Sequence, residues 1–193
     1  MSTQFQHDFY LVRKKVFKIF GEAFHIYDAA GNMVFYSKLK AFKLREDIRL
    51  FTGEDMQTEL LRIAARQVLD FGATYDVHDS ATGEQVGSLR RKGLRSLLRD
   101  KWLIFNAAGQ EIGAIEEDNM LLALVRRLLT NLVPQTFTLT LQGQPTAELR
   151  QRFNPFIKKL ELDLKQDPQH RLDRRLALAA AVLISAIEGR QSS

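Results

Sequence analysis

The segment between residues 176 and 187 constrains the fold more than any other feature of the chain. It reads LALAAAVLISAI, and its alanine and leucine content favours an α-helix that ends near Gly189. At helical spacing the apolar residues occupy every side, and Ser185 is the one polar exception. Because a helix without a polar face must be surrounded, the sequence predicts a central buried helix over residues 172–188.

Lipid and protein are the two environments that can surround such a helix, and length separates them. About 12 apolar residues, at a rise of about 1.5 Å each, reach roughly 18 Å. The hydrocarbon core of a bilayer is about 30 Å thick, so a membrane span is disfavoured. Burial against other helices is one alternative, and a closed sheet around small alanine side chains is the other. We expect the closed sheet.

The rest of the chain repeats a hairpin pattern, in which two strand-like runs flank a polar turn. The clearest copies cover residues 24–36, 75–89 and 102–115. Each turn begins with Asp or Asn, which can hydrogen-bond the backbone ahead of it, and contains a Gly, which tolerates a positive φ. These pairs are Asp28 with Gly31, Asp79 with Gly83, and Asn106 with Gly109. The pattern predicts a mainly β protein, a barrel or sandwich, with antiparallel strands.

Two segments depart from this hairpin pattern. Residues 121–129 are typical of a helix that ends before Pro134. Residues 56–66 leave helix and strand open, because their aliphatic residues suit a helix while the hairpins around them favour strands.

Composition limits the class of protein. A chain of 193 residues suits one domain over 1–193, and the absence of cysteine excludes disulfides and thiolate chemistry. The polar and basic start of the chain does not resemble a secretory signal. We therefore expect a cytoplasmic protein that can associate with a membrane from one side.

The hairpin modules and the closing apolar helix resemble the LURP-one-related proteins, and more distantly the phospholipid scramblases and the tubby C-terminal domain. The residues that carry the likeness lie between Phe24 and Glu188 and include the continuations VGSLRRK at 86–92 and IGAIEE at 112–117. The resemblance implies a closed, twelve-stranded antiparallel tubby-like barrel that encloses the C-terminal helix. It also implies an association with membrane phospholipids rather than a reaction.

A short basic segment is the candidate binding site. The net charge of the chain is +5, and six basic side chains lie close together in the sequence. They are Arg90, Arg91, Lys92, Arg95, Arg99 and Lys101. If the neighbouring Leu94, Leu97, Leu98 and Trp102 enter a membrane interface, these charges could meet anionic head groups. In the alternative interpretation the apolar residues belong to the core and the charges are solvated.

Catalytic and metal-binding patterns are weak. His78 has Asp76 and Asp79 nearby, but neither a third convergent ligand nor a nucleophile accompanies them. The sequence therefore predicts no metal, no cofactor and no enzymatic activity.

Two binding hypotheses follow from the sequence. The first is a non-enzymatic module that recognises anionic, phosphoinositide-like phospholipid head groups at the membrane surface. The alternative is a protein-interaction or structural scaffold without a lipid ligand. Nucleic acid is a less favoured partner, because no recognised reading element accompanies the charge.

Overall fold

The structure, a computed structural model, describes residues 2–17, 21–39, 47–66, 73–92, 101–118, 135–152, 154 and 157–187. A 3-10 turn, Thr3–Phe5, precedes the first strand, and helix α1, Arg174–Ile187, follows the last. The strands are β1 Phe9–Phe17, β2 Gly21–Tyr27, β3 Met33–Leu39, β4 Asp47–Phe51, β5 Glu59–Ala65, β6 Thr74–Asp79, β7 Gln85–Arg91, β8 Lys101–Asn106, β9 Glu111–Glu117, β10 Thr136–Leu141, β11 Gln144–Arg152 and β12 Lys158–Asp163.

These strands form a closed barrel with an up-and-down topology. Each strand pairs with the next along the chain in antiparallel fashion, and β12 pairs with β1 to close the ring. Closure removes the two free edges of an open sheet, and at the β3–β4 seam the two strands pair at Tyr36 with Phe51. The mainly β class and the closed twelve-stranded antiparallel barrel are thus confirmed.

The predicted hairpin turns lie at one end of this barrel, which we call the turn end. In the first of them the Asn32 amide donates to the Asp28 carboxylate at 2.8 Å. In the corresponding turn between β8 and β9 the Gln110 amide donates to the Asn106 side chain at 2.9 Å. Gly31, with φ of 85°, supplies the left-handed conformation that the turn requires.

The open question about residues 56–66 is answered by burial. Leu61 and Ile63 are fully buried while Arg62 between them is exposed, which is the two-residue period of a strand. This segment contributes β5, Glu59–Ala65, rather than a helix. The helix predicted over 121–129 lies outside the described residues.

Helix α1 lies inside the barrel, as predicted. Ala177, Leu178, Ala179, Ala181, Val182 and Leu183 are fully buried. Gly87 of β7 shows how closely the wall approaches, because a Cβ built there would stand 3.0 Å from Leu176 Cδ1 and 2.3 Å from the Phe105 carbonyl oxygen. Among the described residues, no helix has the length and apolar character that crossing a bilayer requires.

The start of α1 is held by a buried ion cluster at the turn end. The Arg174 guanidinium donates to Asp8 at 2.7 Å and to Asp167 at 3.2 Å, and both Arg174 and Asp167 are almost entirely buried. Next to it, Arg175 donates to the Asp79 carboxylate at 2.8 Å. Arg175 thereby joins the helix to the β6–β7 turn, and Arg174 joins it to the N-terminal segment.

The last turn of α1 lies at the opposite end of the barrel, which we call the far end. There Lys14 donates to the Ser185 carbonyl oxygen at 3.2 Å and pairs with Glu22 at 2.9 Å. A lysine on a C-terminal carbonyl compensates the negative end of the helix dipole. Four of the sequence-predicted basic residues, Arg90, Arg91, Lys92 and Lys101, lie at this same end.

Candidate anionic-ligand surface

The described residues of the basic segment lie at the far end of the barrel wall. Arg90 and Arg91 end β7, Lys92 follows it, and Lys101 begins β8. The backbone amide of Lys92 donates to the Lys101 carbonyl at 2.9 Å, so the two lysines lie side by side on neighbouring strands. Arg95 and Arg99 lie outside the described residues.

Strand alternation separates the four described residues of this segment into two faces. Arg91 pairs with Trp102 and shares the inner face with the fully buried Leu89. Trp102 is 1% exposed, with its ring 6.0 Å from that of Tyr75, so it belongs to the core. Arg90, Lys92 and Lys101 are left on the outer face.

The Arg90 side chain is positioned by an aromatic ring and a hydroxyl group rather than by a carboxylate. Its guanidinium lies 4.8 Å from the centre of the Phe105 ring, and Nε donates to Thr74 Oγ1 at 3.0 Å. Stacking of this kind orients the planar group while leaving its terminal N–H donors for an anion. Within the described part of the chain no acidic side chain pairs with Arg90.

The two lysines of the segment differ in how strongly they are engaged. Lys92 is exposed and forms no ion pair with any residue that the structure describes. Lys101 Nζ contacts the Glu116 carboxylate, and these two side chains are 34% and 43% exposed. Exposed ion pairs of this type contribute little to stability, so Lys101 can exchange Glu116 for another anion.

The two carboxylates near His78 are both engaged by other side chains. Asp76 accepts hydrogen bonds from Arg66 at 2.7 Å and from Gln85 at 3.1 Å. Asp79 lies on the inner face and is engaged by Arg175. Although burial alone would raise the pKa of the Asp79 carboxyl, the hydrogen bond from Arg175 and those from two turn amides hold that pKa below its ordinary value. Among the described residues there is no group of three potential metal ligands.

A second group of outward-facing cations at the far end was missed by the sequence reasoning. Lys15 on β1 and Lys38 on β3 flank Ala23 of β2 in register, and both are exposed. They are far apart in the sequence, and although Lys15 lies in a basic run with Arg13 and Lys14, nothing near it predicts that Lys38 lies beside it. Strand alternation could have identified them as outward-facing. Each follows a residue whose side chain points inward, so its own side chain points to the outer face.

Comparison with known proteins agrees with this architecture. The sequence profile of the LURP-one-related family matches residues 9–185. The crystal structure of an Arabidopsis thaliana protein superposes with a TM-score of 0.54 at 12% identity, over 97% of this chain and 96% of that one. No curated protein sequence is significantly similar to the chain. Since the profile covers nearly the whole barrel and its helix, this chain belongs to the LURP-one-related family.

Proposed function

We propose that this protein is a non-enzymatic binding module that recognises anionic phospholipid head groups, of the phosphoinositide kind, from the membrane surface. The observation that carries the proposal is the pair of exposed cations at the far end, Arg90 and Lys92, which no carboxylate among the described residues neutralises. Lys101, beside them, adds a third charge whose partner is exposed.

These three cations offer hydrogen-bond donors that suit a phosphate group. Arginine presents planar donors that match phosphate oxygens, and the Phe105 ring already fixes the orientation of Arg90, so less side-chain entropy is lost on binding. Each basic residue near an anionic membrane surface contributes about 1 kcal/mol. Three such residues support a weak but measurable association.

The environment of His78 favours binding over a reaction. Arginines already bind both neighbouring carboxylates, and within the described part of the chain neither carboxylate hydrogen-bonds this histidine.

Neutralising the proposed cations is expected to weaken membrane binding by about 25-fold, since each contributes about 1 kcal/mol, or about fivefold. The test compares wild type with the double variant Arg90→Gln, Lys92→Gln in vesicle sedimentation. The vesicles consist of phosphatidylcholine, with and without phosphatidylinositol bisphosphate.

The matched control is Arg49→Gln, Arg62→Gln, which makes the same change in net charge. Both control arginines lie midway along β4 and β5, and both pair with Asp47, the first residue of β4. Their replacement should leave binding unchanged. Equal binding to both kinds of vesicle, or no loss in the Arg90 and Lys92 variant, would contradict the proposal. A wild-type protein that ignores both vesicles would favour the scaffold alternative.

A further inference from the structure

Charge is distributed unequally between the two ends of the barrel. At the turn end, carboxylates outnumber basic side chains in and beside the described turns. These carboxylates are Asp8, Asp28, Glu54, Asp55, Asp79, Glu84, Glu111, Asp163, Asp167 and Asp173. Arg174 and Arg175 form ion pairs with members of this acidic group, so their charges are already neutralised. The turn end therefore repels an anionic surface.

The far end carries the opposite charge on its outer face. Among the described residues, its outward-facing basic side chains are Lys15, Lys38, Arg66, Arg90, Lys92, Lys101, Arg152 and Lys159. Carboxylates are present too: Asp47 pairs with Arg49 and Arg62, Glu116 pairs with Lys101, and the exposed Asp118 offsets one of the cations. Lys15, Lys38 and Lys92 have no acidic partner in the part of the chain that the structure describes.

These free cations form two edges on opposite sides of the ring. One edge is Lys15 with Lys38, two strand spacings or about 10 Å apart around β2. The other edge is Arg90 with Lys92, where β7 adjoins β8. In the order of the twelve strands, β2 and β7 are five places apart in one direction and seven in the other. The edges therefore face away from each other across the barrel.

From this placement we infer that the protein docks end-on. The far end rests against the membrane surface, and the axis of α1 is roughly perpendicular to that surface. A flat surface can touch opposite sides of a barrel at the same time only at one of its ends. Docking through the side of the barrel would engage one edge and direct the other away from the lipid. The inference rests on the proposed function and adds a second contact edge and an orientation to it.

The charges of the described residues at the two ends agree with this orientation. The acidic turn end is directed away from the anionic head groups, so the field of the protein steers the far end toward them. The negative end of the α1 dipole would oppose this approach, but Lys14 donates to the Ser185 carbonyl and compensates it.

End-on docking predicts that both edges matter about equally. On the phosphatidylinositol bisphosphate vesicles, Lys15→Gln, Lys38→Gln should bind about 25-fold more weakly than wild type, as should the Arg90 and Lys92 variant. The Arg49→Gln, Arg62→Gln protein should bind like wild type. Circular dichroism of each variant checks that the barrel remains folded.

A second measurement reads the orientation directly. Because the chain contains no cysteine, one introduced thiol can carry an environment-sensitive dye. A dye at Asp118→Cys, beside the far end of β9, should shift its emission to the blue when vesicles are added. A dye at Thr82→Cys, in the β6–β7 turn, should show no shift.

The outcomes separate the inference from the proposed function. Loss of binding in the Arg90 and Lys92 variant alone would overturn end-on docking and leave head-group recognition standing. A blue shift at Thr82→Cys would also overturn the orientation. If wild type binds no vesicle, or binds duplex DNA instead, both proposals are wrong.

Discussion

Replacing Asp167 with alanine is expected to lower the free energy of unfolding by about 3–5 kcal/mol, because the buried Arg174 then keeps only the 48% exposed Asp8 as its anionic partner. Asp167 is fully buried and accepts hydrogen bonds from the Arg174 guanidinium at 3.2 Å and from the Leu172 amide at 2.9 Å. Arg174 is itself 2% exposed and already has one N–H, at Nε, without an acceptor among the described residues. Urea denaturation at neutral pH measures the loss.

The control for this change is Asp163→Ala, at the end of β12. Asp163 is 43% exposed, lies 3.9 Å from the Lys165 ammonium and accepts a hydrogen bond from the exposed Lys165 amide at 2.9 Å, so its replacement should cost about 1 kcal/mol. A loss at Asp167 no larger than that at Asp163 would show that the buried cluster does not hold α1.

The pH dependence of this stability difference shows whether it comes from the ionised Asp167 carboxylate. Burial alone would raise the pKa of the Asp167 carboxyl, but the amides of Leu172 and Arg171 and the Arg171 and Arg174 side chains hold it below its ordinary value. The unfolded carboxyl has a pKa of about 3.9. The contribution of Asp167 is therefore present above about pH 4 and is lost as the pH falls through the folded pKa. Below about pH 4, the difference between wild type and Asp167→Ala should shrink.

The second large effect is expected at Leu183, in the middle of α1. This side chain is fully buried, so Leu183→Ala removes its apolar contacts and leaves a cavity. We expect a loss of about 2–5 kcal/mol in the free energy of unfolding. The enclosing strands pair with one another around the whole ring, which limits their collapse into the space and favours the upper part of that range.

Leu183→Met is the matched control, because it keeps most of the volume and should cost less than about 1.5 kcal/mol. Denaturation of the two variants under the same conditions makes the comparison. Similar small losses in both would mean that the Leu183 site is loosely packed, contrary to a helix enclosed by the barrel wall.

The features that could be predicted from the sequence are those that single segments encode. The apolar circumference of α1 required an enclosure, and the Asp or Asn and Gly of each turn required a hairpin. Residues 56–66 could not be assigned in the same way, because the two-residue period of Leu61 and Ile63 lies within a run that also suits a helix. Pairing with β4 and β6 decided the matter.

The features that could not be predicted depend on contacts between distant segments. Arg174 and Asp8 are far apart in the chain, so nothing near either residue predicts that they meet. The basic segment was visible as a run of charge, but its division into an inner Arg91 and an outer Arg90 follows from the register with β8. Lys15 and Lys38 come together across Ala23 for the same reason.

The central claim is that the barrel encloses α1 on every side, and thiol accessibility around one helical turn tests it most directly. The chain has no cysteine of its own, so Ala179→Cys, Ala180→Cys, Ala181→Cys and Val182→Cys each introduce a single thiol on a different flank. In the folded protein all four should react with a maleimide far more slowly than Thr82→Cys, at a rate limited by unfolding. Reaction at any one of them as fast as at Thr82→Cys would reveal a flank open to water and contradict the enclosed helix.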